Sequence, residues 1–103
     1  MALSYTRYTP YKNVSVIHMF GTPDAGETCR MIRPSTVSPK RVNLMNVGPF
    51  NIWTETAPTP DGPWQNADYC SKNNHTDLSL KQAFTRPKAT GVEIDVWVTE
   101  FRR

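Results

Sequence analysis

The sequence lacks the features that mark most enzymes, metalloproteins and membrane proteins. It contains two cysteines and two histidines, without the paired spacing of a structural zinc site. It has no phosphate-binding loop, dinucleotide fingerprint or EF-hand spacing, and no apolar run long enough to span a membrane. We therefore expect no catalytic residue, no cofactor, no metal ion and no membrane association.

The start of the chain also lacks the apolar region of a signal peptide. Together with the initial methionine, this predicts a protein made in the cytoplasm and not secreted. In a reducing compartment, Cys29 and Cys70 are expected to be buried thiols. A disulfide between them, which would close a long loop, is the alternative.

Aliphatic residues are scarce. Leu, Ile, Val and Phe together number 20 of 103 residues, close to the level below which highly charged chains stay unfolded. The net charge is only +3, and three Trp and four Tyr add apolar area. We therefore predict a folded chain with a thin core. Its Lys and Arg residues are divided equally between the two halves, but few acidic residues lie in the first half, so the net charge is +4 over residues 1–50 and −1 over residues 51–103. A modest basic region of this kind suits an acidic protein surface as well as a nucleic acid.

Short β-branched and aromatic segments alternate with turns rich in Pro, Gly and Asn. The pattern is clearest near the end, where four aliphatic residues alternate with polar ones. The Gly48-Pro49 turn predicts a hairpin between the third and fourth strands. The fold class expected is all-β, a small antiparallel sandwich or barrel of the jelly-roll kind. The predicted strands are Val14–Phe20, Thr28–Arg33, Arg41–Val47, Phe50–Glu55, Thr76–Phe84 (with a helical turn as the alternative) and Gly91–Phe101.

Two segments depart from this pattern. Residues 1–13 are predicted to form an extended N-terminal arm, because Pro10 disfavours a helix and tyrosines recur every three residues. Residues 57–75 begin with three prolines and an Asp-Gly pair, and predict a long irregular loop. The loop belongs to a single β domain over residues 14–103.

Polar clusters give weak signals for chemistry. His18 lies in the middle of a predicted strand and is expected to be hydrogen-bonded. The segment Asn73–Asp77 could orient His75 as a general base through Asp77. A turn that begins the next strand explains the same residues more simply.

The surplus of aromatic residues is the more informative feature. In a sandwich each strand buries one face, so apolar residues on both faces indicate that part of the second face is covered as well. A neighbouring subunit, a larger partner or the chain's own loop could supply this cover. The interface residues predicted on this ground are Tyr5, Arg7, Tyr8, Tyr11, Trp64, Trp97, Phe101 and Arg102.

In size, missing leader and Thr/Pro/Asn-rich β pattern, the chain resembles the small virion structural proteins of tailed bacteriophages. The arm sequence Ser4–Pro10 and the closing strand Val92–Phe101 add to this resemblance to head-decoration, or cement, proteins. It implies a non-enzymatic virion protein that stabilises a capsid shell. It also implies a homo-oligomer, with a trimer favoured, that binds the major capsid or another virion protein through arm exchange and aromatic packing.

A ligand-binding β module remains the alternative. Exposed tryptophans can stack on sugars, and aromatics beside basic residues can stack on single-stranded nucleic acid. Nucleic acid is the less favoured ligand, because the second half of the chain is near neutral. The candidates are Trp53, Trp64 and Trp97 for sugars, and Tyr8, Lys12, Arg30 and Arg33 for nucleic acid.

Overall fold

The computed structural model describes residues 3–23, 29, 41–79, 81–82, 84–88 and 92–101. Every regular element in these ranges is a β-strand, so the all-β expectation is confirmed. The strands are β1 (Ser4–Tyr11), β2 (Val14–Gly21), β3 (Arg41–Asn46), β4 (Ile52–Ala57), β5 (Gln65–Cys70), β6 (Asn74–Asp77), β7 (Phe84–Lys88) and β8 (Ile94–Phe101).

The strands form two antiparallel sheets that pack as a small sandwich. The larger sheet has five strands in the order β1-β2-β8-β3-β6, and the smaller has three in the order β5-β4-β7. The long strand β8 therefore lies at the centre of the larger sheet, between β2 and β3.

This strand order is that of a jelly roll. Such a fold has eight strands in two sheets, paired in the orders 1-8-3-6 and 2-7-4-5. If β2 is taken as the first strand of a jelly roll, the order β2-β8-β3-β6 corresponds to its sheet 1-8-3-6. The order β7-β4-β5 then corresponds to three of the four strands in its second sheet, 7-4-5. The remaining place, beside β7, falls between β2 and β3 in sequence. Of the strand predicted there, Thr28–Arg33, the structure describes only Cys29, which belongs to no regular element. Strand β1 is an addition beside β2.

The hydrophobic core lies between the two sheets. Ile94, Val96 and Val98 alternate along β8 with relative exposures of at most 1%, as period-two alternation predicts. Val92, which the sequence assigned to the same strand, lies before it and is exposed. Buried residues of the smaller sheet, Ile52 among them, join the same core.

A buried asparagine joins the two sheets. The Asn46 side chain, at the end of β3, donates to the carbonyl oxygens of Phe50 and Cys70 at 2.9 and 3.2 Å. Its Oδ1 accepts from the Gly48 N–H at 3.0 Å. These bonds satisfy a polar side chain that is 0% exposed. They fix the turn by which the chain leaves the larger sheet for the smaller.

The predicted arm is not separate from the domain. Residues Ser4–Tyr11 are extended, as expected, but they form strand β1 and pair with β2 in antiparallel register. The two strands are joined by the turn at Lys12 and Asn13, where Asn13 has a φ of 65°. Asparagine tolerates this left-handed conformation better than most residues, so the turn folds the segment back onto the sheet.

Three other expectations were wrong. The segment 57–75 is not irregular throughout, because it contains β5 and the start of β6. The third and fourth strands are not a hairpin, since β3 and β4 lie in different sheets. The predicted strand Thr76–Phe84 is not continuous: β6 ends at Asp77 and β7 begins at Phe84. Strand β7 includes Pro87 and is the outermost strand of its sheet among the described residues, a position that tolerates proline.

Candidate interaction surface

The outer face of the larger sheet carries a stack of rings at its centre. His18 on β2 and Trp97 on β8 are directly opposite each other, and directly paired residues point to the same face. Their ring centroids are 3.8 Å apart and their planes differ by 7°. One face of the Trp97 indole is therefore covered by the imidazole.

Two further rings extend the pair. Phe20 stacks on His18 with centroids 4.8 Å apart, and Tyr8 stacks near Trp97 with centroids 6.1 Å apart. We call these four residues the aromatic stack. Its end residues, Tyr8 and Phe20, are 44% and 41% exposed. The inner rings are ordered by their neighbours, whereas the ends remain open to a partner.

An acidic residue holds the imidazole in place. His18 Nε2 lies 2.7 Å from Asp95 Oδ1, and the two side chains are 15% and 38% exposed. The expectation of a hydrogen-bonded histidine is confirmed. Because the ring is fixed by this bond and by stacking, the stack is rigid before any partner binds.

An open, mostly apolar depression of about 680 Å³ lies beside the Tyr8 end of the stack. Its floor includes Val16 and Trp97, and β1 forms its rim. Arg7 also lines the depression, but it is opposite the core residue Ile17, so its position on the strand directs its side chain to the other face of the sheet. A depression of this kind can receive an apolar side chain of a partner.

Polar residues flank the other side of the stack. The Asp77 carboxylate accepts hydrogen bonds from Asn43 Nδ2 and Arg41 Nε, each at 2.9 Å. These hydrogen bonds lower the pKa of Asp77, and the bond from Asn43 has the largest effect. The positive charge of Arg41 lowers it further. His75 Nδ1 lies 3.3 Å from Asn43 Nδ2. Asp77 therefore binds Arg41 and Asn43 and does not orient His75, which removes the geometric basis for a general base.

The apolar centre and its polar flank meet at Phe101. The Arg41 guanidinium lies 5.1 Å from the centroid of the Phe101 ring, and Met45, opposite Trp97, is 43% exposed. The outer face is thus a continuous surface of rings and a thioether, bordered on β3 and β6 by hydrogen-bonded polar groups.

The outer face of the smaller sheet is built differently. Arg86 on β7 donates to Glu55 Oε1 on β4 at 2.8 Å, and the two side chains are 15% and 13% exposed. The same guanidinium lies 3.8 Å from the Trp64 ring centroid, a cation–π geometry. Trp64 ends the proline-rich segment, so this contact holds that segment against the sheet.

A second aromatic pair on the smaller sheet is open. Trp53 and Tyr69 are directly opposite each other on β4 and β5, with centroids 5.2 Å apart and planes tilted by 60°. They are 43% and 47% exposed. Of the three tryptophans, Trp53 is therefore the one whose side chain has the larger open surface.

The predicted interface residues are spread over several surfaces. Tyr8, Trp97 and Phe101 lie on the outer face of the larger sheet, and Arg7 lies at the rim of the depression. Tyr5 points inward and packs against the core. The remaining three are elsewhere: Tyr11 at the β1–β2 turn, 75% exposed; Trp64 on the smaller sheet; and Arg102 outside the described residues.

The sequence reasoning missed His18, Phe20 and Met45 as surface residues. A signal for the first two was present in β2, where Ile17 and Met19 alternate with His18 and Phe20. When the residues that point to both faces of a strand are apolar, both faces are expected to be covered. What the sequence does not show is that Trp97, 79 positions after His18, lies directly opposite it.

Two thiols lie in the part of the chain that the structure describes. Cys29 and Cys70 are buried and not joined by a disulfide, as the thiol interpretation predicts. Burial raises the pKa of the Cys70 thiol, and a backbone hydrogen bond from Asn46 opposes this. Within the described ranges, no three His, Cys, Asp or Glu side chains form a metal-binding group. Nor does any helix there have the length and apolarity to cross a membrane.

Comparison of the chain with models of protein families gives no match, and comparison with curated proteins gives none either.

Proposed function

We propose that this chain is a non-enzymatic structural protein that binds another protein through the outer face of its larger sheet. The partner proposed is a viral shell protein, as for the decoration proteins that the chain resembles. The observation that carries the proposal is the aromatic stack, whose end rings Tyr8 and Phe20 are 44% and 41% exposed.

The geometry of the stack favours a protein partner over a sugar or a base. A stacking ligand needs an open ring face, but His18 covers one face of Trp97 at 3.8 Å, and Tyr8 lies nearby at 6.1 Å. A rigid apolar surface loses little side-chain entropy when a partner covers it. Trp and Tyr, which meet beside the depression, are among the residues that dominate binding energy at protein interfaces.

The surroundings of the stack are also those of a protein interface. Interfaces have an apolar centre and a polar, solvent-accessible rim. Here a polar, solvent-accessible rim is formed on one side by Arg41 and Asp77. The exposed cationic side chains, with a chain net charge of +3, favour a partner surface with an acidic component.

The strand order supports the proposal by analogy. Jelly rolls occur in viral capsid proteins and in lectins. Because one fold hosts unrelated functions, the analogy adds weight to a shell role and to the sugar-binding alternative alike. The discrimination between them rests on the aromatic side chains.

The test is co-sedimentation of the purified chain with shells assembled from the major capsid protein of the same genome. We expect saturable binding, and binding about tenfold weaker for Phe20→Ser. Trp53→Ser, which removes an equally exposed aromatic from the other sheet, is the matched control and should bind normally. Absence of binding by the wild-type chain, or equal weakening by both variants, would contradict the proposal.

Sugar binding is a second candidate, favoured by the open pair Trp53 and Tyr69. Carbohydrate rings stack on exposed aromatic faces, and Asn66 and Lys88, bonded to each other at 3.0 Å, offer polar groups beside the pair. Titration with a glycan panel should then quench tryptophan fluorescence, and Trp53→Phe should abolish the response. A flat titration excludes this candidate.

A further inference from the structure

Strand β1 has an open side. It lies at the edge of the larger sheet and pairs with β2 along one side. In the part of the chain that the structure describes, no strand pairs with its other side. An edge strand presents unpaired N–H and C=O groups, which act as a template for another strand.

Among the described strands, the other outermost ones carry features that block pairing along much of their length. Strand β6 has four residues, β7 includes Pro87, and the β4–β5 ladder has an irregularity. Short length, proline and bulges are the usual means of blocking an edge. Strand β1 has eight residues, and its proline, Pro10, and the irregularity in its pairing with β2, between Tyr8 and Tyr11, both lie near the turn. They leave Ser4–Tyr8 as a regular stretch with one charged side chain.

We propose that two copies of this chain pair through β1, antiparallel about a twofold axis, and join their larger sheets into one continuous sheet. The proposal rests on the proposed function, in that the chain assembles through this sheet. It replaces the trimer implied by the resemblance, because a strand that pairs antiparallel with its own copy generates a twofold axis.

The register follows from side-chain parity. In such a pair, the two sequence numbers of opposite residues have a constant sum. Opposite residues point to the same face of the sheet, and side chains alternate between the faces along a strand. The two residues of each opposite pair are therefore both even-numbered or both odd-numbered, so their sum is even. A constant even sum means that one residue lies on the twofold axis, opposite its own copy. The candidates for this axial position within the regular part of β1 are Tyr5, Thr6 and Arg7.

The position of the charged residue Arg7 selects Thr6 as the axial residue. An axis at Arg7 would place two guanidinium groups opposite each other, and like charges in that position are destabilising. An axis at Tyr5 would pair Arg7 with the apolar Leu3. With Thr6 on the axis, Arg7 lies opposite the uncharged residue Tyr5 of the second copy, which avoids both of these pairings.

This register also extends the candidate interaction surface. Thr6 and Tyr8 point to the same face as His18 and Val16, their partners on β2. The aromatic stacks of both copies would therefore lie on one side of the joined sheet. Tyr8 would lie opposite Ser4 of the second copy, whose small side chain leaves space for the ring.

The test uses the full chain and two cysteine variants. Opposite residues of antiparallel strands have Cα atoms about 4.5–5.5 Å apart, a distance that a disulfide spans. Thr6→Cys should therefore form a cross-linked dimer under mild oxidation. Arg7→Cys is the matched control. Because Arg7 lies opposite Tyr5 of the second copy, the two Arg7 residues are displaced by two positions along the strands, and their Cα atoms are more than about 7 Å apart, too far for a disulfide. Sedimentation velocity of the wild type should give twice the mass of 11.7 kDa.

A charge swap tests the axis independently of cysteine chemistry. Thr6→Lys and Thr6→Glu should each sediment as monomers, and mixing them should restore the dimer, while Thr6→Val should remain dimeric. A monomeric wild type, or cross-linking of Arg7→Cys as fast as that of Thr6→Cys, overturns the proposal. A dimer that fails to bind shells would instead contradict the proposed function and leave this pairing standing.

Discussion

The two outer faces of this protein use the same arrangement of three side chains. On the smaller sheet, Glu55 binds Arg86, which lies over Trp64; we call this the Arg86 triad. On the larger sheet, Asp95 binds His18, which lies over Trp97; this is the His18 triad. In both, the nitrogen-bearing group is 3.8 Å from the tryptophan ring centroid.

The triads differ in burial and in what they hold. The carboxylate side chain is 13% exposed in the Arg86 triad and 38% exposed in the His18 triad. Trp64 comes from the proline-rich segment before β5, so the Arg86 triad fastens a loop over its sheet. All members of the His18 triad lie on strands. The same arrangement therefore holds a loop over the outer face of the smaller sheet, whereas on the larger sheet it orders side chains that remain partly exposed.

The largest effect is expected at the Arg86 triad. Arg86→Met keeps the apolar stem over Trp64 but leaves the part-buried Glu55 carboxylate without its charged partner. We expect this to lower the unfolding free energy by up to about 3 kcal/mol, the lower end of the cost of breaking a fully buried pair. Urea denaturation followed by tryptophan fluorescence measures the loss.

A double variant separates the lost pair from the cost of an unpaired charge. In Glu55→Leu with Arg86→Met, no charge remains buried, so the double variant should be more stable than Arg86→Met alone. A double variant as unstable as the single one would mean that packing over Trp64, and not the buried carboxylate, causes the loss.

The next largest effect is expected where the His18 triad meets the turn after β3. A Cβ on Gly48 would lie 2.9 Å from the Asp95 backbone nitrogen, closer than such atoms approach. Gly48→Ala should therefore displace the backbone and lower the unfolding free energy by about 1–3 kcal/mol. Val47→Ala, at a neighbouring residue that is 43% exposed, is the control and should change urea stability little.

A smaller effect is expected at His18 itself. His18→Phe keeps a ring against Trp97 and removes the bond to Asp95, whose side chain can be hydrated. Exposed ion pairs contribute about 0–1 kcal/mol, so we expect a loss within that range by urea denaturation. A loss as large as that of Arg86→Met would show that the two triads are energetically alike.

The smallest effect is expected at the polar rim. The folded-state pKa of Asp77 is lowered by its bonds to Asn43 and Arg41. Its contribution to stability is therefore present above the unfolded pKa and is lost as the pH falls through the folded pKa. The urea midpoint of Asp77→Asn should lie below that of the wild type at pH 6, and this gap should close in acid. A gap that is constant with pH would contradict the assignment.

What the sequence could predict follows from local pattern. The alternation of Ile94, Val96 and Val98 identified β8, and the β-branched run after Val14 identified β2. Strand β5 was missed because it lies at the end of its sheet and most of its residues, Gln65–Cys70, are polar. It therefore lacks the alternation of apolar residues by which a strand is recognised in the sequence.

Other features depend on contacts between distant residues. The turn at Gly48 and Pro49 resembles a hairpin turn, but the bonds of Asn46 to Phe50 and Cys70 direct the chain to the other sheet. In the His18 triad, His18 lies 77 positions before Asp95 and 79 positions before Trp97. Their meeting depends on the register of β2 with β8, which no local pattern encodes.

The position of β8 at the centre of the larger sheet has a consequence for synthesis of the chain. Strands β2 and β3, which flank it, are translated long before it. Until Ile94–Phe101 leaves the ribosome, they have an empty place between them, and the core lacks three of its most buried aliphatic residues. The larger sheet therefore cannot complete its pairing before β8 has been made, and a ribosome that stalls before Ile94 leaves two exposed sheet edges for chaperones to cover.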